Sequence, residues 1–188
     1  MSIYGKEFVR DNAAGSIAAA RAIVPLVLRQ YPHIKSVTDL GCGPGWWLWM
    51  FRAYGITNVT GVEGVGTDSS LYVNPLSQFY VADLNLWKWP FIGLDDLVMS
   101  VEVAEHLPES QADAFVDLHV SISNLVLFSA AHKGQTGPGH VNEQDLPYWE
   151  DKFKARGYRM LDFIRPTIAG VQSVPWWYRS NIVMFEKE

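Results

Sequence analysis

Apolar and polar positions follow two rhythms along this chain. Over residues 15–30 the side chains of Ile17, Ala20, Ile23, Val24, Val27 and Leu28 recur at helical spacing. Pro25 lies inside that run and is expected to kink or divide the helix, and Tyr31-Pro32 ends it. Short strand-length runs follow at 36–40, 58–62, 79–82, 95–100 and 125–128, unbroken apolar at 79–82 and 125–128 and carrying polar residues or glycine in the other three. Such runs predict buried strands. Helical spacing returns at 46–54, which stops at Gly55, and at 109–121, with Ala112, Phe115, Val116 and Leu118 facing inward. It returns once more at 143–156, where Asn142 is the expected N-cap and Gly157 the stop. Residues 67–78 leave room for one short helix. Two long loops are expected at 129–141 and 165–180, with strands at 158–164 and 181–185. Strands that alternate with helices predict a parallel sheet covered on both faces. The last strand follows its predecessor without a helix, a spacing that allows an antiparallel return.

The turn after the first strand is the most informative stretch. Asp39-Leu40-Gly41-Cys42-Gly43-Pro44-Gly45 places three glycines at alternate positions between a strand and a helix. Glycine lets backbone approach a ligand closely, and the helix start presents unbonded N–H groups. A dinucleotide site needs G-x-G-x-x-G, whose third glycine lets helix and strand pack closely. Here Trp46 and Trp47 stand in that region, and Asp39 would repel a pyrophosphate. A ligand carrying an ammonium or sulfonium group suits Asp39 better. Glu63 ends the second strand, where a carboxylate is placed to accept hydrogen bonds from both hydroxyls of a ribose.

Composition narrows the class without naming it. In 188 residues, 48% are hydrophobic and 19% charged, as expected of one folded domain with a substantial core. The net charge of -5, with basic residues scattered, shows no stripe for nucleic acid. Cys42 is the sole cysteine, so no disulfide forms within the chain. The N-terminus lacks a signal-peptide core, and residues 13–28 are too short and broken for a membrane span. A cytoplasmic protein without a membrane or nucleic-acid partner is expected.

The run Asp-Leu-Gly-Cys-Gly-Pro-Gly resembles motif I of the class I S-adenosylmethionine-dependent methyltransferases. The segments Ser-Val-Glu-Val-Ala-Glu-His-Leu-Pro-Glu, Leu-Phe-Ser-Ala-Ala-His-Lys-Gly-Gln-Thr-Gly-Pro-Gly-His-Val-Asn-Glu-Gln and Pro-Trp-Trp-Tyr-Arg-Ser-Asn extend the resemblance to a small bacterial and phage group of that family with mostly unassigned substrates. The resemblance implies an α/β fold: a Rossmann-like, seven-stranded, mostly parallel sheet, helices on both faces and the last strand antiparallel. The resemblance covers Ser36 to Phe185, and the chain is expected to form a single domain over 1–188, with 1–35 as an N-terminal helical cover. The resemblance also implies S-adenosylmethionine as cofactor, held by Asp39, Gly41, Cys42, Gly43, Gly45, Glu63, Asp83, Leu84 and Val101. Asp83 would meet the adenine amino group, and backbone near Val101 the methionine part.

The methyl acceptor is not written in the motif. A hydroxyl acceptor needs a base, and histidine suits neutral pH. His140, His106 and His132 fall at the carboxyl ends of the predicted strands, where open α/β sheets bind ligands. His119, on a predicted helix, reads as structural or exposed. Glu102 and Glu105 lie near these histidines, but the spacing matches no recognised ligand pattern, so no metal is expected. Tyr148, Trp149, Trp176, Trp177 and Tyr178 offer flat faces for a sugar ring, and Arg179 is placed to hold an anion. The same aromatics also suit core packing or a homodimer contact. The leading expectation is O-methylation of a small molecule or glycan. The alternatives are a nucleic-acid or protein methyltransferase, or a cofactor-binding module without catalysis. The Asn/Asp-Pro-Pro-Tyr segment of base-methylating DNA enzymes is replaced here by Ser100-Val101-Glu102-Val103.

Overall fold

Strong β-formers and the glycine turns assemble one mixed sheet, described in a computed structural model over residues 6–64, 78–84 and 94–188. Its strands are β1 (Ser36–Leu40), β2 (Asn58–Glu63), β3 (Gln78–Val81), β4 (Leu97–Val101), β5 (Leu125–Ser129), β6 (Tyr158–Leu161) and β7 (Val183–Lys187). They lie in the order β3-β2-β1-β4-β5-β7-β6. Neighbours from β3 through β5 pair in parallel, while β7 runs antiparallel to both β5 and β6. The expected seven-stranded sheet with an antiparallel last strand is therefore present. The short helix expected within 67–78 falls almost wholly outside the described residues.

Period-two alternation divides the strand side chains between two cores. Val37, Leu97, Met99, Leu125, Leu127 and Met184 face one side, with helices α1 (Lys6–Gln30), α2 (Trp46–Ala53) and α5 (Ile164–Ile168) packed over them. Val98, Val126, Phe128, Val183 and Phe185 face the other, under α3 (Ala112–Ile122) and α4 (Leu146–Lys154). Burying these side chains supplies the main driving force for the fold.

Several boundaries differ from the sequence reading. α1 begins at Lys6, not at Gly15, and runs unbroken through Pro25. Ala19, Ala20, Ile23, Val24 and Val27 are wholly buried, and that packing outweighs the lost backbone bond. Gly15 is a contact point: a Cβ there would lie 2.8 Å from Pro175 Cγ. α4 begins at Leu146 with Asp145 at the N-cap position and Pro147 in its first turn. Asn142, the expected cap, is instead buried and accepts a hydrogen bond from Gln144. The loop expected at 165–180 contains most of α5 and of a further helix, α6 (Trp176–Asn181).

His119 is structural. It is fully buried, and Nδ1–H donates to the Phe115 carbonyl at 2.7 Å, which leaves Nε2 to accept from Ser100 Oγ at 2.9 Å. Burial lowers its pKa to about 4. The unfolded chain thus binds a proton near pH 6.5 that the folded one refuses, so this histidine's contribution to stability is lost as pH falls from about 6.5, reaching about 3 kcal/mol at pH 4. The buried carboxyls of Asp39 and Glu105, raised by burial, titrate with the opposite sign. Urea unfolding of wild type and His119→Leu at several pH values separates the two: the difference between them should shrink steadily from pH 6.5 to 4.5. A constant difference would show that His119 does not carry the dependence.

Candidate functional site

Strand order reverses between β1 and β4, and ligands of open α/β sheets bind where this happens. A cavity of about 720 Å³ opens there, beyond the carboxyl ends of β1, β2 and β4. At one end lies the glycine turn. Gly41, Gly43 and Gly45 all have positive φ, at 80°, 51° and 86°. Two of them need glycine for different reasons. A Cβ on Gly41 would collide with Val103 at 2.5 Å, so Gly41 lets the turn pack on the segment after β4. A Cβ on Gly43 would meet nothing within 4 Å; the space beside it is open and faces the cavity. Glu63 clamps the turn to β2. Its carboxylate accepts from the Gly43 N–H at 2.5 Å and from the Gly64 N–H at 2.9 Å. These bonds take two of the roughly four acceptor sites of a carboxylate.

Gly41, Cys42, Gly43, Glu63, Asp83, Leu84 and Val101 line the cavity together. Asp39 does not line it. This side chain is 2% exposed beneath the turn, and burial, then the charge of Glu63, pushes its carboxyl pKa well up. Gly45 also lies off the cavity, at the start of α2, where its N–H bonds the Cys42 carbonyl. Trp46 lines the wall with a buried indole N–H that has no partner, and Trp47 packs edge-on against Tyr178. α1 adds Asn12, Ala13 and Ser16, with Ser16 Oγ 3.1 Å from the Tyr178 hydroxyl. Nothing in the helical pattern of α1 marks these as site residues.

The other end is built from the turn after β4 and the loop after β5. Glu102 holds a left-handed backbone, φ 57°, which is strained for a residue other than glycine. Its N–H bonds Ser129, and its carboxylate accepts from Gln135 at 2.8 Å and Asn181 at 3.2 Å. This bracket joins three elements. Glu105 supplies the next: its carbonyl accepts the N–H groups of Val141 and Asn142, which fold the loop back over it. The Glu105 side chain is fully buried, and among the described residues neither carboxyl oxygen has a hydrogen-bond partner. Burial first, then the nearby Glu102 charge, raises its pKa well above the usual range. His106 and His140 stand beside it, rings edge to face at 4.9 Å. Nδ1–H of His106 donates to the Gly139 carbonyl at 3.2 Å, and Nδ1–H of His140 to Glu143 at 2.7 Å. Burial lowers the His106 pKa, and the bond from His140 lowers that of Glu143.

Of the aromatic residues expected at the mouth, Trp176, Trp177 and Tyr178 line the cavity, with Trp176 45% exposed. Trp149 is in the second core at 1% exposure, tilted against Phe128 and edge-on to Tyr148, because its position on α4 faces the sheet. Tyr148 lies beside it under Lys152. Arg179 turns away and donates to the Ala169 carbonyl. His132 lies off the main cavity, against Trp176 and a small void of about 100 Å³. Glu102, Glu105, Gln135 and Thr136 also line the cavity; the Glu-rich segment before His106 signalled the two glutamates, and nothing in the pattern signalled Gln135 or Thr136.

No protein-family model matches this chain, and no curated protein matches its sequence. Solved structures do resemble it. Magnesium protoporphyrin IX methyltransferase from Synechocystis PCC 6803, with bound S-adenosylmethionine, superposes with a TM-score of 0.67 at 18% identity, covering 99% of this chain and 88% of that one. An S-adenosylmethionine-dependent methyltransferase from Archaeoglobus fulgidus gives 0.65 at 14% identity, covering 98% and 100%. The methyltransferase domain of bacterial CtHen1-C gives 0.62 at 17% identity, covering 91% and 98%. The fold is the Rossmann-like fold of S-adenosylmethionine-dependent methyltransferases.

Proposed function

We propose that the chain is an S-adenosylmethionine-dependent methyltransferase that methylates a hydroxyl oxygen of a small molecule or glycan. The observation that carries the reading is the open glycine turn after β1, with Glu63 held across it at the switch point of the sheet. The residues fit the cofactor. The cavity has the volume of a cofactor cleft, which is roughly 300–1,000 Å³. Its carboxylates, Glu63, Asp83 and Glu102, favour a ligand bearing sulfonium and ammonium charges. The unpartnered Trp46 N–H offers a donor to the ligand's carboxylate. Bound there, S-adenosylmethionine supplies a methyl carbon whose bond to sulfur breaks as the bond to oxygen forms, the electron pair staying on sulfur as a neutral thioether.

The chain's own task is to hold the acceptor oxygen on that axis and to take its proton. His106 and His140 line the cavity from the segments after β4 and β5, and each has its Nδ1 proton engaged elsewhere. That leaves the lone pair on Nε2. Trp176 and Trp177 line the same cavity with flat apolar faces, which suit the C–H face of a sugar ring.

Two measurements test the reading. Calorimetry should show S-adenosylmethionine and S-adenosylhomocysteine binding, and Glu63→Ala should weaken it by roughly 1–3 kcal/mol, the scale of hydrogen bonds to a charged group. Unchanged affinity in that variant rules out Glu63 as a ribose ligand. A screen of S-adenosylhomocysteine release across sugars, phenols, nucleotides and RNA should respond to a hydroxylated small molecule or glycan. A response only to RNA, DNA or protein overturns the acceptor class and leaves the cofactor assignment standing.

A further inference from the structure

We propose that Glu105, His106 and His140 form a binding site for a divalent transition-metal ion at the acceptor end of the cavity. The site rests on the methyl-transfer reading for what the ion does, but not for where it binds. One ligand atom from each of the three side chains lies within 4.8 Å of the other two. Donors on one ion with bonds of about 2.1 Å stand roughly 3.0–3.4 Å apart where adjacent and about 4.2 Å apart where opposite, so the cluster needs to contract by only about 1–2 Å. Small rotations of the imidazoles therefore close the cluster onto a single ion.

The surroundings are those of ligands held ready. The Gly139 carbonyl can only accept, so His106 carries its proton on Nδ1 and its lone pair on Nε2. His140 is oriented in the same way by Glu143, whose carboxyl is held below its usual range by this bond. A metal-bound histidine characteristically donates its second N–H to a carbonyl or carboxylate in this manner. Glu105 is the independent sign. Its carboxyl is fully buried and neither oxygen has a partner among the described residues; it is costly to ionise there alone, and a bound cation offsets that cost as the carboxyl gives up its proton. Gly137 keeps the neighbouring space clear: a side chain there would meet His140 Nε2 first. Two imidazoles and one carboxylate favour Mn²⁺, Co²⁺ or Zn²⁺ over Mg²⁺ and Ca²⁺, which prefer oxygen ligands throughout.

Three protein ligands leave positions open to an acceptor hydroxyl, whose proton is released more readily beside the ion. His106 and His140 then act as ligands, and the proton passes to solvent. The sequence spacing hid the set because His140 arrives only when the loop after β5 folds back onto the Glu105 carbonyl.

The test is titration of chelator-treated full-length protein with MnCl₂, followed by the electron-spin resonance of free Mn²⁺ and by calorimetry. One Mn²⁺ should bind per chain. His106→Ala and His140→Ala should weaken binding by more than about 100-fold, and Glu143→Ala by about 10–100-fold, as for a lost outer partner of a ligand. Glu105→Gln, which keeps the volume, should weaken it while circular dichroism shows an intact fold. His33→Ala, at an exposed histidine outside the cavity, should leave it unchanged, and CaCl₂ should not displace the Mn²⁺. Absence of Mn²⁺ binding, or binding indifferent to His106→Ala and His140→Ala, overturns the site. S-adenosylmethionine titrated into the same metal-free protein separates the two proposals. Cofactor binding without Mn²⁺ binding leaves the methyltransferase reading and removes the metal; the reverse removes the methyltransferase reading alone.

Discussion

Gly43→Val is expected to abolish S-adenosylmethionine binding while leaving the protein folded. The added Cβ would meet no atom within 4 Å, so the side chain finds room, but that room is the cavity itself. Its branches would stand where the cofactor must approach the turn, and affinity should fall by more than about 100-fold, or roughly 2.7 kcal/mol. The cost to stability is conformational: valine at φ 51° is strained by about 1–3 kcal/mol, enough to lower Tm by several degrees in a chain of this size. Gly41→Ala makes the contrast. Its methyl group would strike Val103, so it should destabilise the fold itself. Calorimetry and thermal unfolding of both variants distinguish the two roles. Retained binding in folded Gly43→Val would remove the turn from the cofactor site.

At the opposite end, His140→Ala is expected to lower kcat by about 10²–10⁴-fold on a responsive acceptor, with cofactor affinity unchanged. His140 lines the cavity, fixed by Glu143 and in ring contact with His106, while the glycine turn and Glu63 make up the proposed cofactor site. Trp177→Ala should act in the other parameter, raising KM several-fold as an aromatic face worth about 0.5–1.5 kcal/mol is lost. A normal kcat in His140→Ala, or a Trp177→Ala defect confined to cofactor binding, contradicts the placement of the acceptor between them.

The sheet, and the convergence of the glycine turn, Glu63, Asp83 and Leu84 on one cavity, were legible because local signals determined them. The strands are short runs rich in β-formers between glycine and polar breaks, and the glycine turn, Glu63, Asp83 and Leu84 sit at or just beyond strand ends whatever the packing around them. The acceptor end was legible only in part. Helical periodicity does not say which face of α4 meets the sheet, so Trp149 looked as available as Trp176 and proved to be core. Arg179 sits on α6, and the direction of its side chain depends on the Ala169 carbonyl, a tertiary partner. Pro166 and Pro175 made α5 and α6 look like loop, although both prolines fall where a short helix tolerates them. Glu105 was visible as a residue, but its isolation is a property of the folded chain.

The insertion of β7 between β5 and β6 has a consequence for how the molecule is made. β5 and β6 both leave the ribosome before β7, and neither has its partner on that side until Val183–Lys187 follows. A growing chain therefore carries two open strand edges, of the kind that pair with other chains. Asn181, just ahead of β7, bonds both Glu102 and Gln135, so the acceptor end closes in the same late step. Contacts this distant in sequence form slowly. Cofactor turn and first strands can be in place while the rest of the site does not yet exist.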